Sequence, residues 1–588
     1  MSSRQRRSER RAKDHDRRTG RTERAPGKQR RAKQKAAGLR PRGDLADELE
    51  PGLVARLDPL GAVGGVTGSS LLLTTATSRV LFDAGMFQGG RWADEANHAQ
   101  LPLRQSALDA IVLTHAHIDH CGLLPRWCKG GNKKAFRGRV HATRATADLV
   151  PVMLRDGAHI QETDAAHHNR RALRRGGKPV EPLYTAEDAE KAIARLAPHE
   201  FGEVVQVTDD VAVRFRPAGH IIGAASVEVT VTAPDGAVRR IALSGDLGRR
   251  DQPLVCDPVP PDFDGVAPDL VLCESTYGDR EHKTHGDTHA ELLAILERAH
   301  ASGGTVVVPV FAVGRAQELL LALRRAFLDR PDLERPVVLD SPMAIRVTGL
   351  YQEHGTCFRA GLSDELEEQL TADGATFDGF EPRTVELTRT ADESRALNGR
   401  EGLVILSASG MCDAGRIRHH LKHRLWREDD QVVVVGYQAR GSLGRRIVEG
   451  AERVRLMGED VVVRAGVHTL GGFSAHAGRG SLLRWIDAVA GADTQVVLNH
   501  GEDEARASLA AALRADQSRT AWTPAPRDRI ILPADGPPEL LAETPEPVRD
   551  VQRSRDSSSS QRSMVVRSSS SRRSSSARSA AWRSWERL

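Results

Sequence analysis

Four side chains that can bind metal ions stand within six residues of one another in the string HAHIDH. They are His115, His117, Asp119 and His120, and they directly follow AIVLT, an apolar segment typical of a buried strand. Neutral imidazole and carboxylate groups are ligands that suit zinc or manganese in hydrolytic enzymes. In a turn, the two histidines can point one way and Asp119 and His120 another, which serves two adjacent ions. The pattern predicts a metal centre at the end of this strand.

A centre with two ions needs more ligands than one turn supplies, and three further candidates stand at predicted strand ends. His220 follows the strand VAVRF, Asp246 ends IALSGD, and His500 ends TQVVLNH. A carboxylate shared by both ions bridges them at about 3.5–4 Å, and Asp246 is the candidate for that role. Water held between two such cations is acidified, so hydroxide forms near neutral pH.

The composition bounds the class of protein that carries this centre. The chain has 588 residues, of which 39% are hydrophobic and 28% charged, which excludes a collagen-like or wholly disordered chain and predicts three or four domains. No apolar run reaches the roughly 18 residues of a membrane-spanning helix. The six cysteines form no CxxC pair, which argues against a disulfide framework or a cysteine-based zinc site. We therefore expect a protein of a reducing, cytoplasmic compartment.

The net charge of +5 is unevenly distributed along the chain. Residues 1–42 contain 17 Lys and Arg against 4 Asp and Glu, and residues 551–588 contain 9 Arg and 15 Ser against 2 acidic residues. The part between them is acidic. We expect disordered tails over 1–45 and 541–588, whose charge would allow non-specific contact with RNA. A solubilising role for the first tail and a gene-model artefact at the second stay open.

The elements that must position these residues are predicted from the apolar pattern. Short apolar segments broken by Gly and Thr run from Leu53 to Val80 and predict strands, whereas residues 145–200 are predicted to be helical. From 305 to 448 apolar strands alternate with helical segments, such as TVVVPV followed by a helix near 316–328. This alternation predicts a parallel sheet with crossover helices.

The order of the motifs resembles that of metallo-β-lactamase-fold hydrolases of the β-CASP branch, which processes nucleic acids. Asp83, HAHIDH, His220 and Asp246 match the four lactamase-fold motifs in order. The three further motifs of the β-CASP branch are matched by Glu274 in CESTYG, His476 in GGFSAHAG and His500 in LNHGE. SPMA (341–344), SASGMCDAGR (407–416) and GYQARGSLGRRI (436–447) also resemble segments of prokaryotic RNA-processing members and of the endonuclease subunit of the eukaryotic pre-mRNA 3′-end cleavage factor.

The resemblance implies an α/β fold of two parts. Residues 46–278 and 469–540 would form an αββα metallo-β-lactamase sandwich, and residues 279–468 an inserted β-CASP α/β domain with a parallel sheet. The active site would lie in the cleft between them. The implied ligand sets are His115, His117 and His220 for one ion, Asp119, His120 and His500 for a second, and Asp246 for both, with Asp83 contacting a ligand histidine from behind.

The resemblance also implies the reaction. Phosphodiester cleavage leaves an alkoxide that needs a proton, and a histidine with a pKa near neutrality can supply it. His476 is the implied general acid and Glu274 its partner, while Asp119 is the third residue assigned to catalysis. Two divalent ions, zinc with manganese as the alternative, would activate the attacking hydroxide. A histidine at position 500 resembles the RNA-acting members, whereas the DNA-acting ones usually carry valine there.

Several assignments stay open on the sequence alone. Ser474, Arg315, Arg416 and Arg440 are candidates for holding RNA phosphates. The expected activity is endonucleolytic hydrolysis of RNA, and the alternatives are a 5′-exoribonuclease with the same site, a hydrolase of small esters or thioesters, and an RNA-binding scaffold. RNA is the expected partner, and a homodimer remains an open alternative.

Overall fold

The structure is a computed structural model that describes residues 48–89, 91–130, 134–250, 252–355, 381–382, 384–436, 438 and 441–543. The strands in chain order are β1 (Leu53–Pro59), β2 (Leu71–Thr74), β3 (Arg79–Phe82), β4 (Ala110–Val112), β5 (Arg139–Thr143), β6 (Leu196–His199), β7 (Val204–Gln206), β8 (Val211–Pro217), β9 (Ala225–Thr232), β10 (Val238–Leu243), β11 (Leu270–Glu274), β12 (Val306–Pro309), β13 (Val337–Asp340), β14 (Val385–Leu387), β15 (Val404–Ser407), β16 (Gln431–Val434), β17 (Arg453–Leu456), β18 (Glu459–Val462), β19 (Gly466–Thr469), β20 (Gln495–Asn499), β21 (Ala521–Trp522), β22 (Arg529–Pro533) and β23 (Glu539–Leu541).

The α-helices are α1 (Arg91–His98), α2 (Ile118–Cys121), α3 (Leu124–Cys128), α4 (Arg144–Leu173), α5 (Ala186–Ile193), α6 (His285–Ser302), α7 (Arg315–Asp329), α8 (Pro342–Glu353), α9 (Ala391–Ala396), α10 (Ile417–Arg424), α11 (Leu443–Val448), α12 (Arg479–Val489) and α13 (Asp503–Gln517).

Two large sheets pack face to face. One has the strand order β23-β22-β1-β2-β3-β4-β5-β6 and the other β21-β20-β11-β10-β9-β8-β7. Apolar side chains of both meet in one core, including Leu57 and Phe82 from the first sheet and Val229 and Leu272 from the second. Helix α4 contacts the first sheet at β5 and β6, and α12 and α13 contact the second at β11 and β20. The predicted αββα sandwich is confirmed.

A third sheet has the order β14-β13-β15-β12-β16-β19. All its strand pairs are parallel, and α8 and α10 pack against it. The predicted parallel sheet with crossover helices is therefore confirmed, and the helix expected near 316–328 is α7. The domain boundaries at 278 and 468 stay predictions.

The parallel strands β10, β11 and β20 bring distant parts of the chain to one sheet edge. Leu243 pairs with Leu272, and Glu274 pairs with Asn499, so the carboxyl ends of the three strands lie side by side. Asp246 comes three residues after β10, and His500 directly follows β20. The parallel register therefore brings Asp246, Glu274 and His500 to the same edge of the sheet.

Some sequence predictions need correction. The helical prediction for 145–200 holds for α4 and α5 only, because residues 174–185 lie in neither helix and residues 196–199 form β6, which pairs in parallel with β5. Cys256 is disulfide-bonded, which the scattered cysteines did not indicate because pairing depends on which segments meet in space. Strand β23 extends to Leu541, the first residue of the predicted second tail. The remaining tail predictions, 1–45 and most of 541–588, fall outside the described residues. None of the described helices has the length and apolar character that a membrane crossing requires.

Candidate active site

The first group of metal-competent side chains converges at the end of β4. Nδ1 of His117 lies 3.1 Å from Nε2 of His115 and 3.1 Å from Nε2 of His220. Oδ2 of Asp246 lies 3.7 Å from the Nε2 atoms of both His115 and His220. These four side chains can offer four donor atoms to one cation.

A second group lies directly beside the first. Nε2 of His120 is 3.3 Å from Nε2 of His500, which in turn is 3.9 Å from Oδ2 of Asp119. Oδ1 of Asp246 is 3.4 Å from Nε2 of His120. Asp246 therefore turns one carboxylate oxygen towards each group, as a carboxylate between two cations would.

The protonation of the first group fits a cation site. Burial is the main cause that lowers the pKa of His117 to about 4, and it lowers the pKa values of His115 and His220 well below the ordinary value. Lowered pKa values favour the neutral rings, and a neutral imidazole keeps one nitrogen lone pair that can bind a metal ion. Neutral imidazoles together with a carboxylate form a donor set for divalent metal ions, and these residues fit such ions.

Asp83 supports the second group from behind. Its Oδ2 lies 2.7 Å from Nδ1 of His120, and its Oδ1 accepts a hydrogen bond of 2.8 Å from the backbone N–H of Thr114. This contact holds the His120 ring so that Nε2 points into the group. The backbone at position 85 passes so close to the HAHIDH turn that a glycine is required there, because a Cβ would stand 1.7 Å from the carbonyl oxygen of Asp119.

Glu274 and His476 form a pair at the edge of the metal-competent cluster. Nδ1 of His476 lies 3.2 Å from Oε1 of the buried Glu274, which also accepts a hydrogen bond from the backbone N–H of Leu247. Burial alone would lower the pKa of His476, but the charge of Glu274 and the hydrogen bond to it outweigh burial and raise it. The pair favours an imidazolium that can donate a proton.

The candidates for phosphate contact differ in their surroundings. Ser474 is half-buried and lines the cleft beside His476. Arg315 begins α7, forms an ion pair with Glu318, and lies close enough to His220 and His476 for its charge to lower their pKa values.

Arg416 does not have the surroundings expected of a phosphate-binding residue. Its guanidinium lies 2.8 Å from the buried Asp340 and also donates to the carbonyl oxygens of Thr388 and Arg389. The same carboxylate contacts His420 at 2.6 Å. Arg416 is thus bound at the ends of strands β13 and β14. Arg440 lies outside the described residues.

One contact to a predicted metal ligand was not anticipated from the sequence. Oγ1 of Thr276 lies 3.1 Å from Nδ1 of His500, the ring nitrogen that is also 3.4 Å from Oδ1 of Asp246. Thr276 stands two residues after Glu274 within CESTYG, so the motif that carries the carboxylate also carries this hydroxyl.

Comparison with known proteins covers the same region of the chain. The model of the metallo-beta-lactamase superfamily matches residues 63–309, that of the Beta-Casp domain 316–447, and that of the Zn-dependent metallo-hydrolase RNA specificity domain 460–524.

Three curated relatives align over most of this length. Ribonuclease TTHA0252 of Thermus thermophilus is 40% identical over 450 residues, which cover 76% of this chain and 94% of that protein. Transcription termination factor FttA of Pyrococcus horikoshii is 28% identical and covers 78% of this chain and 68% of its own. The protein of the same name from Methanothermobacter thermautotrophicus is 30% identical, with 78% and 69% covered. The motifs, the sandwich with its parallel sheet and these relatives agree, and the chain belongs to the β-CASP branch of the metallo-β-lactamase superfamily.

Proposed function

We propose that this protein is a metal-dependent ribonuclease that hydrolyses phosphodiester bonds of RNA. The observation that carries the proposal is that two groups of donor side chains share Asp246. Nδ1 of His476, which contacts Glu274, lies 3.9 Å from Oδ2 of the same carboxylate. Relatives named as a ribonuclease and as transcription termination factors, and the match to an RNA specificity domain, support RNA as the substrate.

The proposal includes two divalent ions. His115, His117 and His220 would hold one, Asp119, His120 and His500 the other, and Asp246 both. Zinc is the proposed metal, with manganese as the alternative, because the donors are imidazole and carboxylate without thiolate. Two cations held there would supply Lewis acidity and positive charge beside the scissile phosphate.

The side chains of this chain divide the remaining work. His476 donates a proton from Nε2 to the leaving oxygen, and Glu274 holds the opposite ring nitrogen so that this proton faces the cleft. Asp119 is half-buried, lines the cleft and takes the proton of the attacking water. Arg315 and Ser474 contact the phosphate that is cleaved or its neighbour.

The first experiment is the cleavage of one long RNA, labelled at either end, with zinc or manganese supplied. Wild type should give internal products that disappear with Asp119→Ala, whereas Asp332→Ala, which changes an exposed carboxylate outside the cleft, should cleave normally. Release of terminal nucleotides alone would contradict the endonuclease and indicate a 5′-exoribonuclease. A protein shown to hold its metals that leaves the RNA intact would contradict the proposal.

Simple controls separate the ribonuclease from the small-ester hydrolase and from the RNA-binding scaffold. Hydrolysis of a thioester in preference to labelled RNA would favour the small-ester hydrolase. Deletion of residues 1–42 and 551–588 should weaken salt-dependent RNA binding and leave cleavage by the core intact. If the full-length protein binds RNA without cleaving it, and the deletion removes that binding, the RNA-binding scaffold is favoured. The cytoplasmic location and the homodimer stay predictions.

A further inference from the structure

The cleft has one strongly basic wall. Its described lining residues between 311 and 458 include six arginines and two aspartates, whereas those from 58–283 and 469–528 include eleven Asp and Glu and four Lys and Arg. Arg446 and Arg455 are exposed on the basic wall. Because Arg416 is bound to Asp340 and Arg315 to Glu318, a polyanion in this cleft would place its phosphates near the exposed Arg446 and Arg455.

An exposed tryptophan, Trp92, lies among the lining residues from 58–283 and 469–528, which form the acidic wall. Trp92 is 40% exposed, and its ring meets that of Phe87 edge to face, with centroids 5.9 Å apart. In an edge-to-face pair at least one face of the tryptophan ring is not stacked on its partner. Both rings line the cleft that also contains His117 and Asp119.

Phe87 is linked by hydrogen bonds both to the HAHIDH turn, through its neighbour Met86, and to helix α1, which carries Trp92. The backbone N–H of Met86 donates to the carbonyl oxygen of Ile118, within the HAHIDH turn, at 3.0 Å. The side-chain amide of the buried Asn97 both donates to and accepts from the backbone of Phe87, at 2.8 and 2.9 Å. Gly68 makes room for the Phe87 ring, because a Cβ there would lie 2.5 Å from it.

We propose that Trp92 is a base-stacking site. Its ring, supported by Phe87, stacks on one nucleobase of a single-stranded RNA whose phosphates follow the basic wall. This inference rests on the proposed ribonuclease function and adds a binding site outside the reacting centre. Base–aromatic stacking accepts any base, so the site would fix the position of the strand without reading its sequence.

The test is abasic scanning of a short single-stranded RNA with the full-length, metal-loaded protein. One position at a time loses its base, and both Kd, from fluorescence anisotropy, and kcat/KM for cleavage are measured. For wild type, one position should lower affinity by roughly 5-fold to 150-fold, the range of a single stacked base. Trp92→Leu should lose that much affinity for intact RNA and should no longer respond to the abasic site. Trp92→Phe, which keeps a ring, should retain most of the response.

The controls distinguish this inference from the proposed function. Trp426→Leu removes a tryptophan that is 49% exposed and does not line the cleft, and it should bind like wild type. Thermal melting checks that Trp92→Leu is folded. Cleavage with the same abasic profile in wild type and Trp92→Leu would overturn the stacking site and leave the ribonuclease standing. A protein that neither binds nor cleaves these RNAs would overturn both.

Discussion

His476 and Glu274 lie 202 residues apart in the chain, yet Nδ1 of the histidine is 3.2 Å from Oε1 of the carboxylate. The contact is possible because the backbone N–H of Ala477 donates to the carbonyl oxygen of Leu247, which draws the FSAH segment onto the loop that carries Asp246. The acid–base pair and the metal-competent carboxylate are therefore positioned by the same backbone contact.

Replacement of His476 by alanine should reduce kcat by about 10²-fold to 10⁴-fold, the contribution of a positioned general acid. Single-turnover cleavage of RNA measures the loss, and elemental analysis of the purified protein measures the metal. Metal content should equal that of wild type, because His476 is not among the proposed ligands. Metal lost together with activity would show that His476 is a ligand and would contradict its assigned role.

Replacement of Asp83 by asparagine should weaken metal affinity about 10-fold to 100-fold, because the amide no longer supplies a charged acceptor for Nδ1 of His120. Competition with a chelator measures the affinity. The matched control is Asp210→Asn, in which a carboxylate bonded by Ser78 changes instead. Equal weakening in both variants would mean a general loss of stability rather than an effect on His120.

Replacement of Asp340 by alanine should lower the free energy of unfolding by about 3–5 kcal/mol, because it leaves the buried Arg416 and His420 without their carboxylate. Urea denaturation followed by circular dichroism gives the value. Asp332→Ala removes an exposed ion pair with Arg330 and should cost less than about 1 kcal/mol. A loss at Asp340 no larger than at Asp332 would contradict the structural role of this network.

The stability of the protein should fall as the pH drops from 6.5 to 4, in part because of His141. Its Nδ1 lies 3.0 Å from Nε2 of His199, and burial, followed by the charges of His199 and Arg139, lowers its pKa to about 4. Between pH 4 and 6.5 the unfolded chain therefore binds a proton that the native state does not. The loss of stability amounts to at most about 3 kcal/mol.

His141→Gln tests this pH dependence, because it removes the titrating ring. Thermal melting at fixed metal concentration should show a flatter pH dependence in the variant than in wild type. His98→Gln, which changes an exposed histidine, should keep the wild-type slope. Parallel pH profiles in wild type and His141→Gln would contradict the neutral, buried state of His141.

The residue types of the active site could be predicted from the sequence because they are local or periodic signals. HAHIDH follows one strand, and Asp246 and His500 each stand at or just after the end of another, so the residues themselves predicted a metal centre, whereas Glu274 and His476 were identified through the family resemblance. The parallel sheet of the β-CASP part could also be predicted, because few folds accommodate alternating apolar strands and helices.

The partners of each side chain were decided by tertiary structure. Arg416 was expected to bind phosphate, but the buried Asp340 takes its guanidinium, and only the meeting of β13 with α10 reveals this. Trp92 could not be identified from the sequence because an isolated tryptophan carries no motif, and the proposed role depends on its exposure in a cleft that is also lined by arginines. The parallel register of β10, β11 and β20 brings Asp246, Glu274 and His500 to one sheet edge, a long-range pairing that no local pattern specifies.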